Sequence, residues 1–207
     1  MIRKIPLERL LSKAFLRPFE MPEAEAARMV LAGKTSFRDT RFAALRTGLA
    51  TWETIGCGEL PRELDRPLQY WEMPWVSKIR RPMRLVERVQ RRMQFRKIAS
   101  DFRRLVRVMD WKGWVGPAVP VLLLVDHGPR TTDHTNAHEC FLFTDGSRRI
   151  GVAAAVGILE VPVKVSALLT FDWKATQAAG RGRFSEADTR RIWEHVWRRI
   201  AHSAEGI

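Results

Sequence analysis

The chain contains very little cysteine and tyrosine, with two Cys and one Tyr among 207 residues. Cys57 and Cys140 stand far apart, so they provide neither a disulfide framework nor a paired Cys-x-x-Cys zinc module. This scarcity is typical of proteins that work in a reducing environment. We therefore expect a cytoplasmic location.

Long apolar runs are missing as well. The longest, at 119–125 and 151–161, are shorter than the roughly 18–20 residues that a membrane-spanning helix needs. Glu8 interrupts the apolar pattern at the N-terminus and no small-residue cleavage site follows, so we expect no secretory signal. The sequence predicts a soluble protein that makes no membrane contact.

Acidic residues are scarce in one stretch in particular. The whole chain has 36 Lys and Arg against 23 Asp and Glu, a net charge of +13. Lys78 to Arg107 holds twelve of those cations but only Glu87 and Asp101, and twelve minus two gives +10. Such crowding destabilises a compact state unless an anionic partner compensates it, and the densest common polyanion is nucleic acid.

Nucleic acid is therefore the partner that we expect, bound through its phosphates by guanidinium groups. The residues predicted to bind it are Arg80, Arg81, Arg84, Arg88, Arg91, Arg92, Arg96, Lys97, Arg103, Arg104 and Arg107, with Arg181, Arg183, Arg198 and Arg199 nearer the C-terminus. The aromatic residues Trp71, Trp75, Trp111 and Trp114 flank the basic stretch, where packing or base stacking would account for them.

The basic stretch has helical periodicity on two faces. Val86, Val89 and Met93 share one side, whereas Phe95, Ile98, Phe102, Leu105 and Met109 share nearly the opposite side. A surface helix normally has one apolar stripe. We therefore expect either a helix packed on both sides or a kink or break near Gln94, with the arginines divided between two surfaces.

The remaining pattern predicts an α+β fold. We expect a helical, basic region over 1–115 and a small α+β region over 116–207, the two packed together or forming one domain. The first region would contain helices over 6–16, 22–32 and 36–55. The second would contain a mainly antiparallel sheet and a C-terminal helix, with strands at 119–125 and 160–171 and a hairpin turning at Asp145-Gly146.

A polar segment over 126–139 holds three of the five histidines. Asp126, His127, His134 and His138 are candidate ligands for a divalent metal, because His134 and His138 would share one face of a helix. A solvated loop with ordinary turn chemistry explains the same residues. Asp126, Asp145, Glu160 and Lys164 could also form a magnesium-dependent nuclease cluster, although alternating charges on an exposed strand account for Glu160 and Lys164. Phosphate-binding glycine motifs and a nucleophile elbow do not occur.

The order of features resembles the small Cas8-like subunit of type IV CRISPR complexes. The residues that carry the resemblance are Ser36, Phe37, Asp39, Ala44 and Leu45, after a short N-terminal helix and before the basic stretch and the His-bearing segment. That family typically has paired zinc cysteines near its N-terminus, where this chain has Cys57 alone. The resemblance implies a non-catalytic subunit that contacts guide RNA and target DNA.

We therefore expect a nucleic-acid-binding subunit of a nucleoprotein complex, with other protein subunits as partners, no required cofactor and binding rather than catalysis. Two alternatives stay open. One is a metal-dependent nuclease or toxin-like hydrolase that uses the 126–139 segment. The other is an interaction subunit whose arginines meet an acidic protein or an anionic lipid surface.

Overall fold

The computed structural model describes residues 2–12, 16–34, 39–50, 85–126, 138–143 and 145–170, together with the single positions 185, 187, 191 and 194. Its elements are β1 (Ile2–Pro6), β2 (Leu10–Ser12), α1 (Pro22–Leu31), α2 (Arg41–Thr47), α3 (Leu85–Lys112), β3 (Val119–Asp126), β4 (His138–Phe143), α4 (Ser147–Ala155) and β5 (Glu160–Thr170). The chain is thus a mixed helix and sheet protein, in agreement with the α+β prediction. Residues 51–84 and most of the predicted C-terminal helix lie outside the described ranges.

One five-stranded sheet, in the order β1-β5-β3-β4-β2, organises the fold. β1 pairs antiparallel with β5, and β3 pairs antiparallel with β4. β3 and β5 are parallel, as are β2 and β4. The sheet is therefore mixed rather than mainly antiparallel as predicted, because β5 pairs with β3 and not with β4, the strand that it follows.

The sheet is strongly curled, because its two edge strands are close neighbours in sequence. A flat sheet of five strands places its edges about 19 Å apart. The four peptide steps from Pro6 to Leu10 span at most about 15 Å, and a 3-10 turn at Leu7–Arg9 shortens that path further. The first twelve residues therefore link β1 at one edge to β2 at the other.

The N-terminal segment corrects the prediction of a helix over 6–16. Leu7, Leu10 and Leu11 are buried, and their spacing fits a helical stripe, which explains the prediction. In the structure, however, Leu10 lies opposite Phe141 in β4, and the Leu7 amide donates to the Leu159 carbonyl at 2.7 Å. Open sheet edges provide backbone partners over long range, and these outweigh the local helical preference.

The segment after β4 also differs from its prediction. The expected hairpin at Asp145-Gly146 would have continued as a strand, but residues 147–155 form α4 instead. Gly146 has a positive φ of 81° and stands immediately before the helix. Ala153, Ala154 and Ala155 favour a helix, and this alanine run is the signal that the hairpin interpretation overlooked.

The first two helices agree better with the sequence. α1 begins at Pro22 and is followed by Gly33 with a φ of 73°, as predicted. α2 exists but is shorter than expected. The Thr40 side chain caps its start by accepting from the Ala43 amide, and Gly48 ends it in the left-handed conformation, so the helix does not continue to Gly56.

One contiguous core joins the four helices of the described ranges to the face of the sheet that carries Val119, Val121, Leu123 and Val125. At its centre Phe102 of α3 lies against Phe42 of α2, with ring centroids 4.4 Å apart. The second face of the sheet is also buried, through Leu11, Leu124, Cys140 and Leu142. The helices thus form a layer against one face of the sheet.

Close packing of α1 against α4 depends on Gly151. A Cβ atom placed there would stand 2.5 Å from the Glu23 Cβ and 2.9 Å from the Ala24 amide nitrogen. Backbone is involved on the α1 side, so a rotamer change in a flexible side chain cannot relieve the contact. The two helices would have to move apart.

We predict that Gly151→Ala lowers the free energy of unfolding by about 1–3 kcal/mol, measured by urea denaturation. The direction of the change in the free energy of unfolding is informative, because Gly→Ala inside an unrestricted helix raises stability by up to about 1 kcal/mol. An unchanged or higher stability would contradict the close approach of α1 and α4.

Two ion pairs connect α1 to α2 in contrasting environments. Glu23 is fully buried and accepts from Arg46 Nη2 at 2.7 Å, while Arg46 also donates to Ser147 Oγ at 3.4 Å. Glu25 accepts from Arg41 Nε at 2.9 Å at the exposed surface. The same two helices therefore provide a buried pair and a matched exposed pair.

Removing the partner of a buried charge costs far more than removing an exposed partner. We predict that Arg46→Met, which leaves Glu23 buried without its cation, lowers the free energy of unfolding by about 3 kcal/mol. Arg41→Met is the control and should cost at most about 1 kcal/mol. Equal losses in urea denaturation of the two variants would show that Glu23 does not depend on Arg46.

Candidate nucleic-acid interface

Eight of the fifteen residues predicted to bind nucleic acid lie on α3, which is one continuous helix of 28 residues. Its buried stripe consists of Ala99, Phe102, Val106 and Met109. These side chains pack with α1, α2 and α4, so the C-terminal half of α3 belongs to the helical layer. Of the two alternatives drawn from the sequence, a break near Gln94 is wrong, because the helix passes through this position without interruption.

Burial of this stripe fixes the direction of the basic side chains. At about 100° per residue, Arg92, Arg96, Arg103 and Arg107 fall within a sector of about 60° beside the buried stripe. We call these four residues the arginine row. From Arg92 to Arg107 the row runs about 22 Å along the helix axis, and Arg92, Arg96 and Arg107 are exposed to solvent while Arg103 is half-buried.

The other predicted binding residues are distributed as follows. Arg91, Lys97 and Arg104 are exposed on α3, and Arg88 also belongs to this helix. At about 100° per residue, Lys97 and Arg104 lie on the side of the arginine row away from the buried stripe, whereas Arg91 lies in the direction of Met109. Arg80, Arg81, Arg84, Arg181, Arg183, Arg198 and Arg199 lie outside the described residues. Seven exposed or half-buried cations among those predicted are thus brought together on one helix.

Little negative charge accompanies them. α3 contains nine Lys and Arg but only Glu87, Asp101 and Asp110, and nine minus three gives a net +6. Over the ranges that the structure describes, Arg91, Arg92, Arg96, Lys97, Arg104 and Arg107 form no ion pair with an acidic side chain. This charge is therefore available to an external anion.

Sequence reasoning missed the exposure of the apolar residues on this helix. The other alternative, a helix packed on both sides, is also wrong, since Val86, Val89 and Met93 are 66%, 48% and 78% exposed. Trp111 is also exposed, at 80%. The sequence does show two apolar faces on this helix. It does not show which of them packs against the rest of the protein and which is exposed.

Trp114 has a different role from Trp111. Its indole Nε1 donates to the Gly116 carbonyl at 3.2 Å, and the Arg149 guanidinium carbon lies 5.3 Å from its ring centroid. Arg149 also donates to the Pro117 carbonyl. This arrangement connects the end of α3 to α4 and positions the chain before β3.

Two of the metal candidates, Asp126 and His138, lie at one end of the sheet. Asp126 of β3 and His138 of β4 are directly opposite each other in the antiparallel register, whereas His127 and His134 lie outside the described residues. No group of three or more His, Cys, Asp or Glu side chains that could hold a metal occurs within the described part of the chain. Of the four candidate metal ligands, the structure thus places the backbones of two, Asp126 and His138, side by side.

The alternative nuclease cluster does not form. Val119 pairs with Val163 and Val121 with Phe143, so Glu160 and Asp145 lie at the end of the sheet where β3 begins. Asp126 ends β3 seven residues after Val119, about 23 Å away along the strand. The possibility that Asp126, Asp145, Glu160 and Lys164 form one cluster is therefore ruled out, and alternating charges on an exposed strand account for Glu160 and Lys164.

Cys140 lies beside this end of the sheet but is unsuited to metal binding as a thiolate. It is a fully buried free cysteine in β4. Burial raises the pKa of its thiol to about 12, and the positive charge of Arg9 counteracts only part of this shift. The thiol therefore stays protonated at neutral pH.

This burial predicts a pH dependence of stability. The unfolded chain ionises Cys140 near its ordinary pKa of about 8.5, whereas the folded chain keeps the proton until about pH 12. The unfolded state thus loses a proton that the folded state retains, and the free energy of unfolding falls as pH rises from about 8.5 towards 12. Between pH 7 and 10 we expect wild type to lose about 2 kcal/mol more than Cys140→Ala. Parallel pH profiles of the two proteins would contradict the burial of this thiol.

Comparison of the chain with protein-family models, with curated proteins and with solved structures finds no match. Within the described residues, no helix has both the length and the apolar character to cross a membrane.

Proposed function

We propose that the protein binds nucleic acid through the phosphate backbone, with α3 as the main contact. The observation that carries the proposal is the set of solvent-exposed cations on α3 that have no acidic partner among the described residues. Neutralising phosphates with such side chains releases condensed counterions, which supplies most of the sequence-independent affinity for nucleic acid.

The identity and arrangement of the cations support this proposal. All four members of the arginine row carry guanidinium groups, which bind phosphate oxygens with two parallel hydrogen bonds. Lysine would offer only a point charge. A linear row of about 22 Å also suits a linear polyanion better than a compact anionic ligand.

A non-catalytic role fits the same surface. No group of three or more side chains that could hold a metal occurs among the described residues, and the cations of α3 offer contacts with phosphate. We propose that the protein acts as a subunit of a nucleoprotein assembly, of which a CRISPR-type effector is the example suggested by its resemblance to Cas8-like subunits.

A hydrolase that uses the 126–139 segment is the second candidate function. It rests on the register that sets Asp126 opposite His138. Metal analysis of the purified protein and a nuclease assay with and without chelator test it. Bound metal together with chelator-sensitive cleavage would favour the hydrolase over a subunit that only binds.

We predict that neutralising three members of the arginine row lowers affinity for nucleic acid and reduces its salt dependence. In the triple variant Arg92→Gln, Arg96→Gln and Arg107→Gln, the slope of log K against log salt should fall by about two, because each lost phosphate contact removes about 0.7–0.9. Filter binding across a salt series measures the slope.

The matched control removes the same net charge elsewhere. Arg3, Lys34 and Arg148 are exposed and lie outside α3, and changing all three to Gln should alter the slope by less than one contact's contribution. Equal effects of the two triple variants would indicate a general charge effect and contradict an interface on α3. If wild type purified without nuclease shows no excess absorbance at 260 nm and binds no oligonucleotide at low salt, the nucleic-acid proposal itself fails.

A further inference from the structure

The face of α3 opposite its buried stripe is both apolar and basic. Val86, Val89, Met93, Lys97, Arg104 and Trp111 all lie within about 60° of the direction opposite that stripe. We call these six residues the outer face. Each of them is exposed, and the arginine row runs alongside.

Trp111 stands at the end of this surface next to its cations. Arg107 precedes it by one helical turn, and residues four apart on a helix are neighbours. The Lys112 ammonium lies 4.8 Å from the centroid of the Trp111 ring, so the indole already has a cation against its π system. With 80% of its side chain exposed, Trp111 offers a large flat apolar surface to a ligand.

These observations constrain the form of the nucleic acid. A duplex presents phosphates and sugars on its outside and stacks its bases inside, so it would leave exposed apolar side chains such as Met93 and Trp111 facing water. A single strand presents phosphates and unstacked base faces together. Proteins bind single strands by combining a basic surface with aromatic side chains on which bases stack.

Resting on the proposed nucleic-acid function, we propose that the outer face binds single-stranded nucleic acid, with Trp111 stacking on a base while the arginine row holds the phosphates. The exposed indole of Trp111 thus matches the base faces of a single strand, and the arginine row matches its phosphates. An acidic protein segment could also pair with the arginines, but its carboxylates would make no use of the exposed aromatic ring of Trp111 beside the arginine row.

The test compares three probes of equal length: a single-stranded oligonucleotide of mixed sequence, an abasic strand and a duplex. Trp111→Ala should weaken binding of the mixed-sequence strand about tenfold and change abasic and duplex binding by less than about twofold. Trp111→Phe should retain most of the affinity, because it keeps an aromatic face. Leu159→Ala is the matched control, since Leu159 is also 80% exposed but lies outside α3, and it should have no effect.

The outcomes separate this inference from the function on which it rests. If wild type binds all three probes equally and Trp111→Ala changes none of them, the single-strand inference is overturned while nucleic-acid binding stands. If wild type binds no probe at low salt, the proposed function fails first. If only a polyglutamate peptide binds, and Trp111→Ala weakens it, the partner is an acidic protein and the inference is also overturned.

Discussion

The burial of one apolar stripe of α3 is the constraint on which the rest of the account depends. Phe102 packs against Phe42, and Val106 and Met109 lie in the same core, so the rotation of this helix about its axis is fixed. Once that rotation is fixed, helical geometry places the outer face in solvent together with Arg92, Arg96 and Arg107 of the arginine row. The function we propose thus follows from hydrophobic packing, because packing decides which cations stay exposed.

The two halves of α3 differ in how much of their surface packs against the rest of the protein. Its C-terminal half is held by the helical layer, whereas Val86, Val89 and Met93 in the N-terminal half are exposed to water. A helix that carries this much like charge gains little stability from its own sequence, since neighbouring arginines repel each other. Its anchor in the core offsets that repulsion and presents the charge in a fixed orientation, which limits the ordering cost of binding.

Sequence reasoning succeeded where the pattern depends on local chemistry. The start of α1 at Pro22, the buried strand from Val119 and the alternation along β5 could be predicted, because proline geometry and residue periodicity act over a few residues. The segment at 6–12 could not, since its strands exist only beside β4 and β5. α4 was missed because Asp145-Gly146 suits either a hairpin turn or the entry to a helix. For the interface, the sequence located the basic helix, but only tertiary packing could tell which apolar face of α3 has a neighbour.

The central claim is that the exposed surface of α3 contacts nucleic acid, and ultraviolet cross-linking tests it most directly. The protein would be irradiated with a bound single-stranded oligonucleotide, digested, and mapped by mass spectrometry. We predict that adducts concentrate in peptides from Val86–Lys112, including Trp111, and are lost at high salt because phosphate contacts are screened. Adducts confined to peptides outside α3, or an unchanged pattern at high salt, would contradict it.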